Sequence, residues 1–229
     1  MEPRFKAIAD HALLVTFAED ISDAAHGSVL ALDAALTAHP PDGMIEIVPA
    51  MVNLLVSFDP VVTDHKTIQT HVLGCLGAPI SAQPSGITRT VQVCYEGPFS
   101  PDLGAVSSAT GLTPDAVINA HLAGHFRVLM YGFSPGYAYL SGVPDAIQVP
   151  RKPAPVRDVP AGSVIIAGPQ CLVTTLTMPT GWSIIGRSPT AIVTGDPDAP
   201  FLLDVGDRVT FQRIYASTFA QLDKASEHG

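Results

Sequence analysis

The sequence predicts a small α+β N-terminal domain over residues 1–84, followed by a mainly β barrel domain over residues 85–229. Three observations carry this prediction. Apolar spacing changes along the chain, from mixed strand and helix periods in the first third to short strand-like runs after residue 126. The 21 prolines and 19 glycines fall between the apolar runs, where they make turns, instead of gathering in a low-complexity tract. Finally, Ala78 to Thr88, with Pro79, Pro84 and Gly86 among small polar residues, has the composition of a linker. At 229 residues and 47% hydrophobic, the chain has apolar surface enough for two modest cores.

Residues 5–17 hold two short apolar runs, of which Leu13, Leu14, Val15 and Phe17 read as a strand. Ser22 is placed to cap a helix whose stripe Ala25, Val29, Leu32, Leu36 has helical spacing, ended by His39-Pro40-Pro41. Met44 to Val48 and Val52 to Phe58 are strand-like. Thr63 opens a second helix with Ile68, Val72 and Leu76 on one face and Gly77 as its stop. The resulting order, β-β-α-β-β-α, is a small layered unit.

In the second domain Val91 to Tyr95 begins a strand. Ser100-Pro101 and Thr113-Pro114 each put a cap residue before a first-turn proline, predicting two short helices that end at Gly111 and Gly124. Short β-runs follow: Arg127 to Phe133, Ser163 to Ala167, Leu172 to Thr177, Trp182 to Ile185, Ala191 to Thr194 and Val209 to Ile214. So many strands without intervening helices predict a closed antiparallel barrel.

The net charge of −9 disfavours nucleic acid as a partner. Neither a signal-peptide run at Met1-Glu2-Pro3-Arg4 nor a span of ~20 apolar residues is present, so the expected location is cytoplasmic and not membrane-bound. Cys75, Cys94 and Cys171 are odd in number and far apart, which argues against a disulfide framework and against zinc. His121 and His125 have i, i+4 spacing but lack the glutamate of a zinc-protease helix, and no metal is assigned. From Phe126 to Arg187 the chain carries Arg127, Arg151, Lys152, Arg157 and Arg187 against only Asp145 and Asp158. A locally positive region on an acidic protein suits a small anionic ligand.

Three stretches hold the candidate chemistry. In Tyr131-Gly132-Phe133-Ser134-Pro135-Gly136-Tyr137-Ala138-Tyr139-Leu140, aromatics flank a turn and either line a pocket or pack beneath a loop. The run from Val149 to Ser163, with four prolines and three cations, is a stiff loop that either holds charges in place or is simply solvated. In the third, Gly168-Pro169-Gln170 offers an amide that suits an amide ligand or caps a turn. Beyond it, Trp182 and Arg187 fall on opposite faces of one strand unless Gly186 makes a bulge. The Phe133–Tyr139 turn, the Arg151–Arg157 loop and Gln170 are expected to converge on one cleft, and Arg187 either faces it or pairs with an acid such as Asp204 or Asp207.

Taken in order, Gly-Phe-x-Pro-Gly-Tyr-x-Tyr-Leu, the Pro-Arg-Lys run ending Val-Pro-Ala-Gly-Ser, Ile-Ala-Gly-x-Gln and Gly-Trp-x-Ile-Ile-Gly-Arg-Ser-Pro resemble the family of 5-oxoprolinase B subunits, also labelled allophanate hydrolase subunit 1 or KipI-like. The resemblance runs from about Val91 to Ile214. Two positions depart from the family pattern: Pro169, where a second glycine is usual, and Thr180, in place of the glycine before Gly181-Trp182.

The resemblance implies a cyclophilin-like barrel and an ATP-dependent hydrolase of several subunits that opens 5-oxoproline to glutamate. Its partners would be a barrel protein of the C type and a protein of the A type from the same enzyme, with ATP and its Mg2+ held jointly with a partner. A urea or allophanate substrate, inhibition of a sensor histidine kinase, and stand-alone prolyl isomerisation are the competing readings. No Walker phosphate loop and no hydrolytic triad occurs, so the chain is expected to contribute to a shared site. The residues expected to act in it are Arg187, Gln170 and His121. Phe133, Pro135, Gly136, Tyr137, Tyr139, Arg151, Arg157, Gly168 and Trp182 are expected to bind substrate.

Overall fold

The computed structural model describes residues 3–76 and 86–226. Most of the predicted linker, and the helix stop at Gly77, lie outside the described residues. The chain divides into two compact units, Met1–Ser85 and Gly86–Gly229.

The first unit runs β1 (Arg4–Ile8), β2 (Ala12–Thr16), α1 (Asp23–Ala38), β3 (Met44–Pro49), β4 (Asn53–Phe58) and α2 (His65–Leu76). The strands form an antiparallel sheet in the order β1-β2-β4-β3. Alternation along β2 and β4 sends Leu13, Val15, Leu54, Val56 and Phe58 to one face, where Val29, Leu32, Leu36, Ile68 and Val72 of the helices bury them. Ser22 caps α1 by accepting from the Ala25 N–H at 3.2 Å. The cap of α2 is Asp64 instead of Thr63, its carboxylate accepting from the Thr67 N–H at 2.7 Å. Thr63 is held one step earlier, its N–H closing a turn onto Asp59.

The second unit contains β5 (Thr88–Cys94), α3 (Leu103–Thr110), α4 (Pro114–Leu122), β6 (Phe126–Tyr131), β7 (Ala138–Ser141), β8 (Val156–Val159), β9 (Ser163–Ala167), β10 (Gln170–Val173), β11 (Met178–Thr180), β12 (Ser183–Arg187), β13 (Arg208–Ile214) and α5 (Ala216–Ser226). Seven strands close into a barrel in the order β10-β7-β6-β13-β5-β12-β9, while β8 and β11 pair as a separate ribbon. The expectation of a wholly antiparallel barrel is corrected: β5 and β13 are parallel, from Thr88 opposite Arg208 to Cys94 opposite Ile214. No hairpin links these two strands, so nothing local fixes their relative direction.

Several boundaries also differ. Gly132 and Phe133 belong to a turn, and Ala191 to Thr194 contributes only an isolated bridge between Val193 and Phe201. The strands β7, β8 and β11 and the helix α5 were not anticipated. Ser100 does not cap α3, because its hydroxyl donates to the Tyr95 carbonyl at 2.6 Å and the helix begins only after Asp102. Thr113 does cap α4, accepting from the Ala116 N–H at 3.2 Å.

Alternation fills the barrel with Val91, Val93, Val128, Leu140, Val164, Ile166, Cys171, Val173 and Ile185, joined by Leu103, Val106, Val117 and Ile118 from α3 and α4. The opposite-facing residues Ile165, Ala167, Leu172 and Ile184 make a second, outer cluster with Tyr137, Trp182, and Val159 and Met178 of the β8–β11 ribbon. One stretch of barrel wall is therefore packed on both sides. Among the described residues no helix is long and apolar enough to cross a membrane.

Candidate functional site

Between β6 and β7 the chain turns tightly, the Gly132 N–H reaching the Tyr137 carbonyl and the Tyr137 N–H reaching that of Ser134, both at 3.1 Å. Gly136 has φ +70°, and a Cβ there would press at 3.1 Å on Phe201 and Val193, so the turn sits close to the neighbouring loop. The Pro135 carbonyl accepts from the Thr175 hydroxyl at 2.9 Å, which ties the turn's tip to the segment after β10. Phe133 itself takes φ +73°, a conformation costly for an aromatic residue, and presents a ring that is 73% exposed.

From that tip a run of rings leads across the outer barrel face. Phe133 and Tyr137 have centroids 5.4 Å apart, Tyr137 and Tyr139 5.7 Å, and Tyr139 and Trp182 6.1 Å. The guanidinium of Arg151 closes the series 5.5 Å above the Trp182 ring, a cation–π contact. Burial raises the Tyr137 hydroxyl to a pKa of about 12, with Tyr139 adding to the shift and Arg151 opposing it. Tyr137 therefore remains a neutral hydroxyl at physiological pH.

The proline-rich loop is pinned at two places. The Gly168 N–H donates to the Val149 carbonyl at 2.8 Å, and the Lys152 N–H to that of Gly181 at 2.6 Å. Gly168, at φ +53°, makes the turn from β9 into β10. Gln170 starts β10 opposite Ala167 and Ser141, and alternation with inward Cys171 puts it on the same outer face as Tyr139. Thr180, one of the departures from the family pattern, accepts from the Trp182 N–H at 3.1 Å and shapes the turn before that ring. Arg157 is exposed on β8.

Two expected site residues lie elsewhere. His121 has none of its surface exposed: Tyr95 meets Nδ1 at 2.8 Å, Cys171 Sγ lies 3.6 Å from Nε2, and the rings of Phe126 and Phe211 flank it. The buried side of α4, with Val117, Ile118 and His121, packs into the barrel core, which makes His121 a core residue; His125, beyond the helix end at Leu122, is exposed.

For Arg187, the register shift between Ile184 and Gly186 is the bulge that returns it to the outer face. There its Nε donates to the Ala161 carbonyl at 3.2 Å and its guanidinium lies 5.6 Å from the Phe219 ring centre on α5. Asp207, one possible partner, is engaged instead by Arg89 at 3.3 Å and by the Ile87 N–H at 2.9 Å. Arg187→Lys, which loses both the Nε bond and the planar contact, is expected to lower stability by about 1 kcal/mol. In a thermal melt that is a midpoint drop of roughly 2–4 °C; an unchanged midpoint would show that these contacts contribute nothing.

Sequence reasoning missed Asp102. Its Oδ2 accepts from the Ile184 N–H at 2.7 Å and from the Lys152 ammonium. No spacing signal links positions so far apart in the chain.

Residues 3–203 match the family described as carboxyltransferase domain, subdomain C and D. The 5-oxoprolinase B subunit of Bacillus subtilis strain 168 is 34% identical over 227 residues, 92% of each chain. Among solved structures, TTHA0988 is 33% identical with a TM-score of 0.80, over 90% of this chain and 40% of that one. This chain thus spans well under half of TTHA0988. The urea amidolyase of K. lactis shares the fold at a TM-score of 0.80 with 15% identity, over 99% of this chain and 16% of that one.

Proposed function

Because the chain belongs to the carboxyltransferase subdomain C and D family, alongside the 5-oxoprolinase B subunits, we propose that it is one component of an ATP-dependent amidohydrolase that opens 5-oxoproline to glutamate with partner subunits. The observation that carries this reading is the face running from Phe133 through Tyr137, Tyr139 and Trp182 to Arg151. It joins an aromatic row, buried at Tyr137 and Trp182 and reaching the surface at Tyr139 and Phe133, to one exposed planar cation, which suits a small ring bearing a carboxylate. Arg151 holds the carboxylate by two parallel hydrogen bonds, and the Tyr139 and Gln170 side chains orient the ring amide. Arg157 and Arg187 lie outside this contact series and serve at most a partner's phosphates.

A nucleotide does not fit this face. A triphosphate requires several cations or a row of backbone donors, whereas Lys152 is already neutralised by Asp102 and Arg151 is a single charge on Trp182. ATP, with Mg2+, is accordingly assigned to a partner of the A or C type.

Co-purifying the chain with those partners and measuring ADP and glutamate release tests the reading. Release with 5-oxoproline, dependent on this chain, is the expected result. ADP release with urea or allophanate alone would reassign the substrate, and release that is indifferent to the chain would overturn its place in the enzyme. The exposed Phe133 ring also favours a protein ligand; binding to a histidine kinase without turnover of any of the three compounds would establish a regulator instead.

A further inference from the structure

We propose that Asp102 is a positioning residue that sets Arg151 on Trp182, acting through Lys152. Standing just before α3, Asp102 has the place of a helix cap, yet its side chain makes no capping bond to that helix. Its carboxylate goes to the strand below instead. Asp102 exchanges two bonds with Ile184, its N–H reaching the Ile184 carbonyl at 3.1 Å and its Oδ2 accepting from the Ile184 N–H at 2.7 Å. This docks the start of α3 onto β12 and holds the carboxylate still.

The same oxygen takes the Lys152 ammonium. Both side chains are about four-fifths shielded, at 19% and 20% exposure, so the pair escapes most solvent screening. Lys152 is thereby held at both ends, its ammonium on Asp102 and its backbone on Gly181. Arg151 precedes it and follows Pro150, whose ring removes one further backbone freedom. With its neighbours fixed, the Arg151 side chain leaves the loop at one place and lies over Trp182. The pairing with Asp102 also cancels the only other cation of the Pro150–Pro153 stretch, so Arg151 alone is offered to an anion.

This inference rests on reading the aromatic face as the carboxylate site, and its test separates the two. Trp182 is the only tryptophan in the chain, so intrinsic emission reports this face with no substrate or partner present. Asp102→Asn keeps an acceptor for Ile184 but drops the charge; Lys152→Met keeps the Asp102–Ile184 bonds intact. Both are expected to shift Trp182 emission in the direction and to the extent that Arg151→Ala does. In the reconstituted enzyme, Asp102→Asn should raise KM for 5-oxoproline roughly ten- to a hundredfold, the scale of a small misplacement, without changing KM for ATP. Added to Arg151→Ala it should have no further effect. Unshifted emission in Lys152→Met, or additive losses in the double variant, would overturn the positioning role. Shifted emission together with an unchanged KM in Arg151→Ala would overturn the carboxylate-site reading and leave the positioning role standing.

Discussion

Acidification is expected to destabilise the barrel unit through His121. Burial holds this imidazole at a pKa of about 3, against 6.5 when it is free in water. Between those values the unfolded chain binds a proton that the folded chain refuses. The contribution is complete above pH 6.5 and is lost progressively as the pH falls toward 3, at about 1.4 kcal/mol per unit. The full loss is on the order of 4–5 kcal/mol, comparable to a large part of a domain's stability. Denaturant titrations of the wild type and His121→Gln, followed by Trp182 emission from pH 7 to pH 4, check it. Any advantage of the wild type at pH 7 should narrow by roughly 3 kcal/mol at pH 4; parallel curves would show that His121 is not the titrating group.

Gly162→Ala is expected to be nearly as damaging, although the residue touches no candidate ligand. Its φ is +80°, and a Cβ would lie 2.3 Å from the Ser188 carbonyl oxygen. That oxygen is backbone and cannot swing aside. Gly162 also donates to the Thr174 carbonyl and accepts from the Ser188 N–H, both at 2.7 Å, so any relief moves two strand ends together. The left-handed backbone alone costs about 1–2 kcal/mol, and with the clash and weakened bonds the total should reach roughly 3–5 kcal/mol. Gly97→Ala is the control: its φ is +50° but nothing lies within 4 Å, so only the conformational part should appear. Equal losses in the two variants would mean that the Ser188 approach is unimportant.

These cases show why some features were legible in the sequence and others were not. The aromatic turn could be read because its parts are consecutive: Gly132, Pro135 and Gly136 mark the bend, and strand alternation spaces Tyr137 from Tyr139. The loop around Arg151 could be read as stiff from its prolines, and Trp182 as a site residue through the family motifs, but not that the two would meet. His121 misled because its i, i+4 spacing with His125 suggests one shared helical face, whereas α4 ends at Leu122 and only His121 is on it, on the side buried against the barrel core. The bulge at Gly186 was foreseeable as a condition, but the arginine's destination depended on α5. That helix offers few apolar residues beyond Phe219 and Leu222, too sparse a stripe to mark it. Asp102 joins segments distant in sequence by hydrogen bonds, which leave no periodic trace.

The parallel pairing of β5 with β13 also bears on how the barrel comes to exist. The seam is made between the unit's first strand and its last, so every other strand is synthesised before the ring can shut. Until Arg208 to Ile214 have left the ribosome, one side of β5 lacks its partner and remains a bare template for stray strands. A closure spanning so much sequence makes for slow folding and a long-lived open intermediate. Truncation before β13 would therefore be expected to yield an aggregating product instead of a smaller barrel.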